Sequence, residues 1–468
     1  MPVVARSIQI LSGTYPASTF STTLAFLSVW VFASFAGAQD AATPEGPATP
    51  AAATPQESAT APQQAASAAA PIGDCVTEIL AQQKLTRTIR EIRNPLPHPL
   101  KAEADKIKKS YSQLLRAGFS SKDDTRKIQD YLGWLILQAT DPEFSQSPKN
   151  MQNLLDNIRD DISNSATNAT GDQSRKDAER KKYCIEVMKV TKQLLDNNLD
   201  SRLLAVRIMQ ALHEVKAIQN GAKAQLHADA LITLLATLND PKQPDSVKTT
   251  VGSAIRNVLM NCDVVEQDQF RICDALSKEL SRPCTEAGFQ MVLLDTVYEI
   301  SKPRRTVGAP QPTAQRLFAD VINDETKPIE VRCHAARGIG QGVYDLQMNM
   351  EPFAWKITKL AGEAALAFNK DPGNSKWPEC GIDLLLAFRH SNQAGATAQP
   401  PAAKGLMNRL PKSMLVAESA PFILTVTIRL IDNKGKFTVE ELTPMAQWIN
   451  ARQPANLTWD SNAAPVKP

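Results

Sequence analysis

Leu234-Leu-Ala-Thr-Leu-Asn-Asp240, followed by Pro244-Asp-Ser-Val-Lys248, has a second copy downstream: Phe318-Ala-Asp-Val-Ile-Asn-Asp324, followed by Pro328-Ile-Glu-Val-Arg332. Both read N-D-x-x-x-P-x-x-V-[K/R], and they lie 84 residues apart, two periods of 42. One period before Asn239 stands Asn197, in Leu194-Leu-Asp-Asn-Asn-Leu-Asp-Ser-Arg202; one period after it stands Ser281, in the shortened Leu280-Ser-Arg-Pro-Cys-Thr285. A further copy near Asn369-Lys-Asp-Pro372 is displaced by a few residues. After the turn, apolar side chains fall at Val247, Val251, Ala254, Ile255, Val258 and Leu259, and in the later copy at Ile329, Cys333, Ala336, Ile339 and Val343. Steps of three and four put them on one face of a helix. A helix pair with one such face cannot bury it alone, so consecutive pairs must stack.

The turn residues Asp240 and Asp324, the basic residues Lys248 and Arg332, and the small residues Ala254 and Ala335-Ala336 together resemble the HEAT or armadillo pattern. The resemblance spans about Lys181 to Ile431. It implies an all-α fold, an α-α superhelix of stacked helix pairs, with the turn Asp and the basic residue forming a ladder between repeats. It says almost nothing about function. The expected organisation is a signal peptide over 1–38, a disordered Ala/Pro/Thr-rich linker over 39–72, a helical capping subdomain over 73–165, HEAT-like repeats over 181–452 and a disordered tail over 453–468.

Upstream of the repeats, helical periodicity predicts helices at Cys75–Ile92, stopped by Asn94-Pro-Leu-Pro-His-Pro99, then at Lys101–Ala117, Asp123–Gln138 and Asn150–Ile162. Ser163–Gln173 reads as a polar loop, and Lys181–Leu195 as the helix entering the regular region. The linker lacks the large apolar side chains that would offset the entropy of ordering it. Before it, no charged residue occurs between Arg6 and Asp40, and the apolar run Leu24–Phe35 ends in Ala36-Gly37-Ala38. That small-x-small ending is what a signal peptidase accepts, which sets Ala36 and Ala38 before the cut and Gln39 at the mature start. The competing expectation is an uncleaved anchor from Phe20 to Ala38, with the body outside in either case. Both place the body outside the cytoplasm, periplasmic or secreted.

Of 468 residues, 43% are hydrophobic and 22% charged, the balance of an ordinary folded protein. A net charge of +3 argues against a nucleic-acid binder, which shows a concentrated basic face. Export permits disulfides, but the seven cysteines are odd in number and widely spaced, so most are expected to be buried as small hydrophobes. That leaves room for one long-range bridge, whose partners the sequence does not assign.

Catalytic and metal motifs fail on inspection. His213-Glu214 opens like a zinc-protease helix, but Ala217 stands where the second His is needed. Asp432–Glu441 resembles half an EF-hand, but its fifth ligand position is Lys434. Thr438 with Glu441 reads better as a helix capping box. Trp355, Trp377 and Trp448 are expected in helix packing rather than along a groove. Arg175–Lys182 is expected to be a solvated helix start. The irregular stretches Lys302–Pro312 and Ser391–Gly405 are the expected surface loops of the stack.

No cofactor, metal or catalytic residue is therefore assigned. The expectation is an exported, non-enzymatic helical-repeat scaffold whose partner is a protein or a cell-wall polymer and not a nucleic acid. The alternatives are a carbohydrate-active enzyme of helical-toroid type and a membrane-anchored structural subunit.

Overall fold

The computed structural model describes residues 72–217, 223–300, 304–306, 309–311, 313–342, 349–389 and 404–454. The expected signal segment with Ala36, Ala38 and Gln39, the expected linker up to residue 71, most of the expected loop at 391–403 and the expected tail beyond 454 lie outside the described residues.

The described chain is almost entirely helical. It opens with α1 (Ile72–Arg90), α2 (Lys101–Ala117), α3 (Lys122–Leu137), the short α4 (Pro142–Ser145), α5 (Pro148–Asn164) and α6 (Gln173–Gln193). The expected limits hold within a few residues, except that α6 begins eight positions earlier than expected, at Gln173. Its N-cap is Asp172, whose side chain accepts from the Arg175 amide and satisfies one of the orphan donors of the first turn. Ser121 and Ser147 cap α3 and α5 in the same way.

Next come α7 (Leu199–Ala211), the strands β1 (His213–Val215) and β2 (Gln225–Leu226), α8 (Ala228–Asn239), α9 (Asp245–Asn261), α10 (Glu266–Leu280) and α11 (Ala287–Tyr298). A hairpin of β3 (Arg304–Thr306) and β4 (Ala309–Gln311) follows, then α12 (Thr313–Asn323), α13 (Ile329–Gln341), α14 (Glu351–Lys370), α15 (Trp377–Phe388), α16 (Leu406–Arg409), α17 (Met414–Asp432) and α18 (Val439–Ala451). The two strand pairs correct the sequence reading. Arg304–Thr306 and Ala309–Gln311 pair as antiparallel strands with Thr306 opposite Ala309, where an irregular loop was expected.

From α7 onward the helices form two rows. In the first, α7, α9, α11, α13, α15 and α17 each pack against the next; in the second, α8, α10, α12, α14 and α18 do the same. The first-row starts at Asp245, Ala287 and Ile329 are separated by two steps of 42 residues. The period read from the turns is thus the repeat of the architecture. The core runs between the rows without a break, through Val247, Val251, Ile255, Leu293, Val297, Val331, Ile339, Leu384, Ile423 and Leu430 among others, all under 1% exposed. Each such side chain contributes roughly 1.5–3 kcal/mol by leaving water. Met414–Asp432 is the one described helix long and apolar enough to cross a membrane. In this fold α17 packs on α14 and α15 and buries Val416, Ile423, Val426 and Leu430 there.

α1 packs on α7 and α9. Near its start Cys75 forms a disulfide with Cys284, 209 residues away in the turn before α11, and one turn on, Glu78 meets Arg282 at 3.3 Å. The other five cysteines are buried, as expected for small hydrophobes. At the far end, Asn369 receives the Phe437 amide and donates to its carbonyl, fixing the chain before α18. The capping box at Thr438 and Glu441 is present, with Arg429 gripping Glu441 from α17.

Candidate functional site

Helix starts decide where the polar side chains of the stack go. Arg202, Lys248, Gln290 and Arg332 are each the fourth residue of a first-row helix, and all four are buried. Lys248 reaches Glu279 of α10 at 3.0 Å, and Arg332 reaches Glu363 of α14 at 2.6 Å. Both acids lie 31 residues beyond their base, in the following helix pair. Arg202 reaches Gln243 at 2.9 Å and the Asn197 carbonyl at 2.7 Å. Gln290 holds the Thr285 carbonyl and leaves its own Oε1 without a partner.

The turn aspartates act locally. Asp240 accepts from the Lys242 amide, and Asp324 accepts from the amide and hydroxyl of Thr326. The bonds between pairs therefore run from Lys248 and Arg332 to Glu279 and Glu363, not to Asp240 and Asp324.

A second line of charge crosses the first row. Arg256 of α9 bonds Asp295 of α11 at 2.9 Å and Glu299 at 3.4 Å. Asp295 meets the Nε2 of His334 in α13 at 3.0 Å, and the Nδ1 of His334 meets Asp383 of α15 at 2.9 Å. Arg337 adds a contact to Asp383 at 3.4 Å. Burial would lower the His334 pKa, but the hydrogen bonds to Asp295 and Asp383 outweigh it and push it up to about 9. Burial acts to raise Asp295, and the contacts with His334 and Arg256 hold it below its usual value instead. At neutral pH His334 is an imidazolium with both nitrogens engaged. It offers neither a base for proton abstraction nor a lone pair for a metal.

The described histidines elsewhere are also placed by partners. His98 meets Asp141 at 3.1 Å, and His227 pairs with Glu214, which also takes Lys181 at 3.1 Å. His213 and Glu214 sit on β1 rather than on a helix, so the zinc-protease arrangement is absent in geometry as well as in spelling. His213 lines a cavity of about 300 Å³ at the last turns of α5, α7 and α9, with Arg159, Lys216, Gln210, Asn257 and Asn261. Burial lowers both His213 and Lys216 from their usual values. Lys216 donates to the Ser163 carbonyl, at the end of α5. Lys216 thus faces a helix C-terminus, where the unpaired carbonyls favour a cation.

Among the first helices Tyr111 donates to Asp161 at 2.6 Å and shares a 2.8 Å hydrogen bond with Tyr183. Burial raises the Asp161 carboxyl to about 6. The tryptophans pack helices: Trp355 donates to the Ile449 carbonyl, Trp377 to the Asp371 carbonyl and Trp448 to Glu418.

Reading for motifs missed the His334 line because its members are far apart in sequence: Arg256, Asp295 and His334 are separated by 39 residues each, and His334 and Asp383 by 49. The available signal is an acid standing within an apolar stretch of a first-row helix, present in α11 and α15 but not in α9 and α13, which carry several ionisable residues each. Asp295 in Val292-Leu-Leu-Asp-Thr-Val297 and Asp383 in Gly381-Ile-Asp-Leu-Leu385 are the plainest cases. No protein-family model, curated protein or solved structure matches this chain.

Proposed function

We propose that this chain is an exported, non-enzymatic scaffold of HEAT-like repeats that binds a protein partner along the exposed faces of its first-row helices. The observation that carries the reading is the line Arg256–Asp295–His334–Asp383, which ties four successive first-row helices together. Its charges neutralise one another, so it stiffens a long surface without leaving a reactive group on it. Partner recognition there rests on shape and hydrogen bonding, as on other stacked-helix surfaces. A carbohydrate-active enzyme would need two carboxylates with lone pairs directed at substrate; Asp295 and Asp383, the carboxylates that converge here, both spend theirs on His334. The Cys75–Cys284 bridge supports export, because such bridges persist in oxidising compartments.

The test is cross-linking capture from the native cell envelope, with the chain from Gln39 as bait. The expected outcome is one reproducible protein cross-linked to the first-row face, lost by at least tenfold with Ser253→Arg, an exposed position on α9. Capture unaffected by that substitution, with cross-links confined to the second row, contradicts the reading. Cleavage of a glycan by the purified chain contradicts it outright.

A further inference from the structure

Two cysteines outside the bridge meet at the joint between α13 and α15. Cys333 is the fifth residue of α13 and Cys380 the fourth of α15, and both are under 2% exposed. Both are free thiols, and the helix register sets them against each other. The helix packing explains why. Gly340 lies seven residues after Cys333, and Ala387 seven residues after Cys380, which is two turns along the same face of each helix. A Cβ on Gly340 would overlap the Ala387 backbone, so the two helices touch there main chain to main chain. Gly381, beside Cys380, is close-packed toward the next helix: a Cβ would fall 3.0 Å from the Thr427 carbonyl oxygen of α17. Small residues at corresponding positions thus let α13 and α15 approach closely over two turns, with the thiol pair at one end and the glycine contact at the other.

We propose that Cys333 and Cys380 form a second disulfide, which locks α13 to α15 when the chain folds in an oxidising compartment. The oxidant is a disulfide of that compartment, of low molecular weight or on a protein. The thiolate of one cysteine attacks a sulfur of the oxidant and expels one thiol. The thiolate of the other then attacks the mixed disulfide, closes the Cys333–Cys380 bond and expels the second thiol. Two protons and two electrons leave with the two thiols released.

Contact with Cys380 and burial push the Cys333 thiol well above its ordinary value, so thiolate is scarce once the stack has closed. Exchange therefore belongs to folding, before the helices pack, and the bond is shielded from reductants afterwards. The same joint carries the His334–Asp383 contact, so one oxidation step fixes the last link of the charge line as well.

The test counts thiols on chain secreted by cells and, separately, on chain refolded from denaturant in a mixture of reduced and oxidised glutathione. Each sample is denatured, alkylated without reduction, digested and analysed by mass spectrometry. The expected result is a Cys333–Cys380 peptide beside Cys75–Cys284, with only Cys184, Cys262 and Cys273 taking the label. In Cys380→Ala, Cys333 takes the label and Cys75–Cys284 is retained. Label on both Cys333 and Cys380 in chain that has formed Cys75–Cys284 overturns the proposal, as does a bridge from either to any other cysteine.

Discussion

The two copies of the repeat turn share a sequence pattern but not a neighbourhood. Lys248 and Arg332 occupy the same helical position and each finds an acid 31 residues on. Around Lys248 the contact is closed off: Glu279 is 5% exposed and also takes Arg282 at 2.7 Å, and Arg282 is in turn held by Asp245 and by Glu78 of the disulfide-anchored α1. Around Arg332 the acid is 29% exposed and shares only Lys359, at 3.6 Å. One motif thus gives a buried network where another layer covers it and a half-solvated pair where none does. The pattern P-x-x-V-[K/R] specifies which side chain crosses to the next pair; what that crossing is worth depends on the burial around it.

The largest expected effect breaks this comparison directly. Lys248→Ala removes a buried cation and leaves Glu279 with Arg282 alone, which costs about 3–5 kcal/mol. Arg332→Ala leaves an acid that water can reach and costs about 1–2 kcal/mol. Urea unfolding of the two variants checks the order. Equal losses would mean that α1 does not govern the difference.

The covering layer is tested next. Replacing both bridge cysteines, Cys75→Ala with Cys284→Ala, is expected to lower stability by about 2–4 kcal/mol. It should also make the region around Lys248 respond to mutation as the region around Arg332 does. The readout is the cost of Lys248→Ala measured in that background, which falls toward that of Arg332→Ala.

The third prediction uses pH on the Arg332 side of the stack. His334 is raised from an ordinary 6.5 to about 9 in the folded chain. A raised pKa means its contribution is fully present below about 6.5 and is lost as pH rises through about 9. The loss is roughly 3 kcal/mol between those limits. Urea midpoints across this range should fall for the parent chain and fall less for His334→Gln, with Lys248→Ala keeping the parent slope.

Much of this arrangement was legible before any coordinates. The 42-residue period showed because the proline before α9 and α13 and the basic residue four positions on, Pro244 with Lys248 and Pro328 with Arg332, repeat the same local chemistry. The capping box at Thr438 showed for the same reason. The strand pairs did not show, because strands of two or three residues carry no periodicity. The Cys75–Cys284 pairing and the His334 line did not show either. Both are settled by how far one helix pair is shifted against the next, and no single stretch of sequence encodes that shift.

Hydrogen exchange followed by mass spectrometry, on the parent and Lys248→Ala under native conditions, tests most directly whether buried polar contacts couple successive helix pairs. The account predicts faster exchange in α9 together with α10, which carries Glu279, and in α1, with α13 to α15 unchanged. Faster exchange confined to α9 would contradict it, because Lys248 would then be a buried side chain of its own helix and not a tie between neighbours.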